Sequence, residues 1–261
     1  MKDDDFLLPP GCKSSILPHP SGDHEAVEVA VFQEHRYAFF FWAKWTRELK
    51  LAAEPPALIT LDWHEDLGPV DDREKRTLRD LDLDDARQVA LHCWEGLCEL
   101  NDGQISAAAY LNLVGDIYVL RKQTDTVEDE FVDAGGQTHR VRCFDSAGEL
   151  MKFLADSNIS RVYFDVDLDY FTESPDMCGG GPDVKLVTDK VVREILDPEG
   201  NLLRWVFNRL AGVTIATEPE FCGGVVASNR LMTLLSESLF DPQLLSDAPT
   251  WRHLSSAPHQ K

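Results

Sequence analysis

Two short apolar runs constrain this 261-residue chain more than any other feature, because each ends in acidic residues spaced two apart. The first is ALITLDWHEDLG, residues 57–68, which sets Asp62, His64 and Asp66 behind an apolar stretch. The second is RVYFDVDLDYF, residues 161–171, which closes on Asp165, Asp167 and Asp169. A short apolar run without alternation is the pattern of a strand buried on both faces, as in a parallel sheet. Side chains two apart on an extended chain point the same way. Each acidic set therefore starts on one face, where its strand leaves the sheet. Open α/β sheets bind ligands at that edge, and carboxylates converging there with an imidazole suit a divalent cation. If the two strands are neighbours, the carboxylates meet. Two like charges about 4 Å apart repel by roughly 4 kcal/mol at an effective dielectric of about 20. Several such pairs would strain a domain whose stability is about 5–15 kcal/mol. Protonation or bound cations must relieve them, and two ions sharing bridging aspartates would do so.

The intervening sequence supplies a scaffold of alternating strands and helices. VEVAVF (27–32), DIYVL (116–120) and GVTIATEPE (212–220) read as further strands. HRYAFFFWAKWTRELK (35–50) reads as a helix whose aromatic run Phe39–Trp42 belongs to the core. Helical periodicity returns over 86–100 and 106–113, and in VKLVTDKVVREIL and SNRLMTLLSESLF. VEDEFVDAGGQTHRVRCF has two extended runs around Ala134-Gly135-Gly136, which suits a hairpin. Ser146 and Glu149 form a capping box before LMKFLAD. DDREKRTLRDLDLDD (71–85) reads as a solvated acidic loop. Alternating strands and helices predict an α/β fold, a three-layer α-β-α architecture with a mainly parallel sheet. The expected organisation is an irregular N-terminal arm (1–25), one catalytic domain (26–240) and a loose C-terminal tail (241–261).

Lys and Arg total 25 against 46 Asp and Glu, a formal charge of −21, so nucleic acid is not an expected partner. The opening MKDDDFLLPPG carries acids where a signal peptide has a basic segment, and no apolar run is long enough to span a bilayer. Cys12, Cys93, Cys98, Cys143, Cys178 and Cys222 form no C-x-x-C pair, which reads as reduced thiols in a cytoplasmic protein. The glycine loops MCGGGP and FCGG lack the G-K-[ST] of a phosphate loop. They are expected to let backbone pass close to the site or let its mouth flex.

D-W-H-E-D at 62–66 resembles the D-x-H-x-D motif of the arginase (ureohydrolase) superfamily, and F-D-V-D at 164–167 resembles its second metal motif. That family also takes a histidine from the end of an earlier strand, where this chain has His35. The combination E-H, D-x-H-x-D and D-x-D-x-D-Y-F is most similar to a divergent branch that includes bacterial peptide arginases. Those convert arginine to ornithine in ribosomally made peptides. The resemblance spans roughly residues 27–230. It implies an arginase/deacetylase-like fold and two Mn²⁺ ions. It also implies that His35, Asp62, Asp66 and Asp165 hold one ion, and that Asp62, His64, Asp165 and Asp167 hold the other. Asp62 and Asp165 would bridge, and Asp169 would lie outside both sets. His24, in S-G-D-H-E, is a decoy, because it precedes a strand instead of ending one.

The same resemblance places a glutamate for the guanidinium at Glu218, with Glu220 in reserve, and gives Asp66 the proton for the departing amine. His92 and His139 are candidate proton shuttles that no motif assigns. Arginases hold the α-amino and α-carboxylate of free arginine with polar loops after the first metal motif. GPVDDREKRTLRDLDLDD has no recognisable counterpart. That favours arginine within a peptide, with or without a leader, as the partner. The alternatives are a hydrolase of a free small guanidino compound, a metal-dependent deacetylase, and a non-enzymatic metal-binding protein.

Overall fold

The computed structural model describes residues 7–23, 25–51, 54–123, 129–176 and 178–255. The strands are β1 (Lys13–Pro18), β2 (Ala26–Phe32), β3 (Ala57–Leu61), β4 (Ile117–Leu120), β5 (Asp129–Val132), β6 (Thr138–Phe144), β7 (Val162–Asp167), β8 (Thr172–Glu173), β9 (Lys185–Leu186), β10 (Leu210–Ala216), β11 (Phe240–Asp241) and β12 (Thr250–Trp251). The helices are α1 (Ala38–Glu48), α2 (Asp72–Asp80), α3 (Ala86–Leu91), α4 (Gln104–Tyr110), α5 (Ala147–Ala155), α6 (Asp189–Ile195), α7 (Asn201–Phe207), α8 (Val225–Leu239) and α9 (Arg252–Ser255).

Eight strands form one sheet in the order β1-β2-β10-β7-β3-β4-β6-β5. Its interior pairs are parallel. Only the edge strands β1 and β5 run antiparallel to their neighbours. Helices cover both faces, as the expected α/β architecture requires. One core gathers α1 to α4 over alternate strand residues such as Leu58, Ile117, Val119 and Tyr163. The other gathers α5 to α8 over the opposite set, including Ile59, Leu61, Phe164 and Val166. Phe39, Phe41 and Trp42 are fully buried in the first core.

The chain runs from β3 outward to β4 and β6, then returns to β7 beside β3 and moves the other way to β10. The strand order therefore reverses between β3 and β7. That is the position at which open α/β sheets present a crevice at the carboxyl ends of their strands.

Four local expectations change. Residues 13–18 are not an irregular arm but an edge strand, paired through Lys13–Val31 to Pro18–Ala26. The tail is anchored too: Trp251 is fully buried and its Nε1 donates to Pro18 O. The acidic stretch at 71–85 contains α2, because Asp71 caps it by accepting from Arg73 N and Glu74 N. In VKLVTDKVVREIL, Lys185–Leu186 is extended, and Thr188 caps a helix that begins only at Asp189. No disulfide links the cysteines. No helix among the described residues is long and apolar enough to cross a membrane.

Candidate metal centre

The acidic side chains meet at the carboxyl ends of β2, β10, β7 and β3. Register decides which of them reach the edge. Thr60 and Thr214 flank Asp165 on either side, Leu61 is level with Val166, and Ala216 with Asp167. Asp62 thus emerges beside Asp167, and Asp165 lies two residues, about 6.6 Å, deeper in the sheet. All belong to the strand face that packs on α1 to α4.

His35 stands in the turn after β2 and is fully buried. Its Nε2 is 2.8 Å from Asp165 Oδ2. Its Nδ1 faces three carboxylate oxygens: Asp66 Oδ2 at 2.8 Å, and Asp62 Oδ2 and Asp167 Oδ2 at 3.3 Å each. None of the three has hydrogen-bond geometry to Nδ1, and Asp62 Oδ2 has no partner either. On the other side of Asp62, His64 Nδ1 lies 3.5 Å from Asp62 Oδ1 and 3.2 Å from Asp169 Oδ2, which is also without a hydrogen-bond partner. His35–Asp62–Asp167, Asp62–His64–Asp66 and Asp167–Asp169–Glu218 each bring ligand atoms within 4.8 Å of one another.

Asp165, inferred to bridge the two ions, lies deeper in the sheet than Asp167. Both its oxygens are taken by protein donors: Oδ1 accepts from Thr214 Oγ1 at 2.5 Å, and Oδ2 from Thr60 Oγ1 at 2.8 Å and from His35. Asp167 stands level with Asp62, and Asp169, expected outside the ligand sets, faces His64. A carboxylate behind a histidine that holds Nε2–H leaves Nδ1 free as a lone-pair donor, the usual outer support of a metal-bound imidazole.

Burial tends to keep His35 neutral, but the Asp165 carboxylate bonded to it, together with Asp62 and Asp66, outweighs burial and raises its pKa well above 6.5. His64 is pushed up to about 12, with Asp169 and Asp62 overcoming burial. Burial, reinforced by the charge of Asp62, lifts Asp66 to about 7. Burial and the neighbouring carboxylates raise Asp167, and burial and the Asp62 charge raise Asp169. Burial of Asp62 is outweighed by His35 and His64, which hold it below the usual carboxylate range. The cluster thus holds more carboxylates than its two imidazoles can balance, so protons or cations must neutralise the rest. Buried lone pairs without donors and an oxygen-rich donor set fit divalent cations.

Glu218 is 4% exposed, and its Oε1 accepts from His35 N at 3.0 Å. Asp66 and Glu218 are both non-glycine residues at positive φ, 51° and 26°. Such conformations cost on the order of 1–3 kcal/mol and persist where the surroundings hold them. For Asp66 the holder is Gln104, which donates from Nε2 to Oδ2 at 2.6 Å. Nothing in the local sequence marks Gln104, because it is brought in by the first turn of α4. Glu220 is exposed.

The two unassigned shuttle candidates have other partners. His139 turns to Gly115 O and Asp133 on the far strands, and His92 packs against Phe39. His24 lies outside the described residues. The glycine loop does pass over the site. His64 Nε2 bonds Cys178 O at 2.8 Å, the Gly179 backbone lies against Trp63, and Gly180 lies against Phe221.

No protein-family model matches the chain, and no curated protein matches it. A solved structure with some likeness is proclavaminate amidino hydrolase from Streptomyces clavuligerus, 17% identical, with a TM-score of 0.43. The overlap covers 78% of this chain and 61% of that one, so the chain spans less than two thirds of that enzyme's length.

Proposed function

We propose that the chain is a binuclear metal hydrolase that removes urea from arginine residues of a peptide and leaves ornithine. The observation that carries this is His35 Nδ1, buried, aimed at three carboxylates and bonded to none. His35, Asp62, Asp66 and Asp167 would hold one ion; Asp62, His64, Asp167 and Asp169 would hold the second. Asp62 and Asp167 would belong to both sets. One imidazole per ion among hard oxygen donors favours Mn²⁺ over Zn²⁺. When bound, such a pair lowers the pKa of a water from about 15.7 towards neutrality.

The chain's own groups supply the rest. A planar guanidinium matches a carboxylate through two parallel hydrogen bonds, and Glu218 is the buried carboxylate at the cluster's rim for this. Its backbone strain and its bond to His35 N fix it against the ligand set. Water adds to the guanidinium carbon, the bond from that carbon to the side-chain nitrogen breaks, and Asp66 passes a proton to the departing amine. Gln104 keeps Asp66 oriented for that transfer.

The test is urea release with Mn²⁺ from arginine-containing peptides and from free arginine. Peptide turnover should dominate, with a loss of about 42 mass units per arginine, the difference between arginine and ornithine set by this hydrolysis. Efficient turnover of free arginine alone would favour the small-molecule hydrolase. Two bound ions without urea from any substrate would favour the non-enzymatic protein. Glu218→Gln should retain both metals and lose most turnover, whereas Glu220→Gln should change little.

A further inference from the structure

Beside the metal centre lies a second feature that the hydrolysis does not use. The helix α2 and the segment from α3 through a π-type turn, His92–Gly96, flank an open groove of about 820 Å³. That volume falls in the range of about 300–1,000 Å³ that accommodates ligands. Asp71, Glu74, Asp80 and Glu95 line it against one cationic side chain, Arg73. Leu81, Leu91 and Leu97 supply apolar wall. Leu91 is 43% exposed, and Trp94 on the following turn is 54% exposed. His92 also lines the groove, is 6% exposed, and has no hydrogen-bond partner at Nε2.

The groove adjoins the reaction centre. Asp71 follows Asp66 on one connecting segment, which is tied down where Gly68 N donates to Asp102 O. Cys98, on the groove wall, lies near Gly103, where a Cβ would be 3.7 Å from its own. The next residue, Gln104, holds Asp66.

We propose that this groove docks a second segment of the peptide substrate, basic and carrying an apolar side chain, while the reacting arginine occupies the metal centre. The proposal rests on the peptide-hydrolase function above. Charge complementarity selects the occupant: a carboxylate-lined groove with leucine walls repels acidic segments and binds lysine- or arginine-bearing ones.

The probe is a fluorescein-labelled Leu-Lys repeat peptide, which has no guanidinium and so cannot react. Anisotropy is compared for the wild type, Glu74→Lys/Glu95→Lys in the groove, and Glu194→Lys/Glu199→Lys on the opposite layer as a control of equal charge. The groove variant should weaken binding at least about fivefold and the control should change it little, in line with the worth of individual surface charges. The groove variant should also raise KM for an arginine-containing peptide while leaving kcat, metal content and turnover of Nα-acetyl-arginine amide within about twofold. Equal weakening by both variants would mean general attraction to an acidic protein and overturn the proposal, as would no weakening by either. Absence of urea from every substrate overturns the hydrolase function, while the anisotropy result still decides the groove.

Discussion

At the scale of single residues, the three aspartates of Asp165-Val-Asp167-Leu-Asp169 meet different surroundings although the sequence writes them alike. Asp165 is closed in by two threonine hydroxyls and His35, whereas Asp167 and Asp169 face the open side of the cluster. Asp169→Asn should lower bound Mn²⁺ from about two ions towards one and abolish most activity. Asp165→Asn should still bind two ions at saturation. Its affinity should fall about 10–100-fold, the usual effect of removing the outer partner of a metal-bound histidine. The amide would also oppose hydroxyl donors, at a cost of about 1–3 kcal/mol. Metal analysis alongside isothermal titration separates the two variants; complete metal loss in Asp165→Asn with full loading of Asp169→Asn would return the bridging role to Asp165. Spacing alone left this open, because a period of two places all three on one face and says nothing about where the ladder ends. Thr60 and Thr214, which set the level of Asp165, became informative only once their strands were paired.

Among the elements, the glycine loop over the site is the most exposed to substitution. Gly179 has φ +64°, and a Cβ there would lie 2.8 Å from Trp63 Cδ1. Gly179→Ala should therefore displace the segment that carries Cys178 O away from His64. The expected result is a raised KM and faster proteolysis of the loop, with both metals retained; unchanged KM and protection would show that the loop does not shape the mouth. The close approach of this backbone to the site was legible in the glycine run itself. So were β3, β7 and α1, where a continuous apolar run or an aromatic face allows one solution. The helix α2 was not, since it buries only Leu78 and otherwise looks like a solvated acidic stretch. Its signal was the cap, Asp71 with Glu74 three residues on, which outweighs polarity when the helix needs little apolar contact. The edge strand β1 was obscured by flanking prolines, which the unpaired side of an edge tolerates. Gln104 was invisible, because a long-range contact to Asp66 leaves no local pattern.

For the whole molecule, the cluster couples stability to pH and to cations. Asp66 titrates near 7 in the folded chain against 3.8 for an unperturbed aspartate, so between those values the native state holds a proton that the unfolded state has released. Asp167 and Asp169 shift in the same direction. When the unfolded state binds fewer protons, stability falls as pH rises. The stabilisation from His64 is complete below 6.5 and is lost between 6.5 and about 12, which has the same sign. Asp62, held low, adds stability as pH rises towards 3.8 and has no slope above it. The metal-free protein should therefore lose stability continuously from pH 5 to pH 8, by a Tm decrease of several degrees, since 1 kcal/mol corresponds to about 2–4 °C at this size. Cations compete with protons for the same oxygens, and a ligand at 100 times its Kd stabilises by about 2.7 kcal/mol. Mn²⁺ should thus raise Tm far more at pH 8 than at pH 5 and flatten the pH dependence. Calorimetry of chelator-treated and Mn²⁺-loaded protein at both values decides it. A metal-free Tm that is level or rising over this window, with no larger gain at pH 8, would mean that the carboxylates are not the charge-strained ligand set on which the proposed hydrolysis depends.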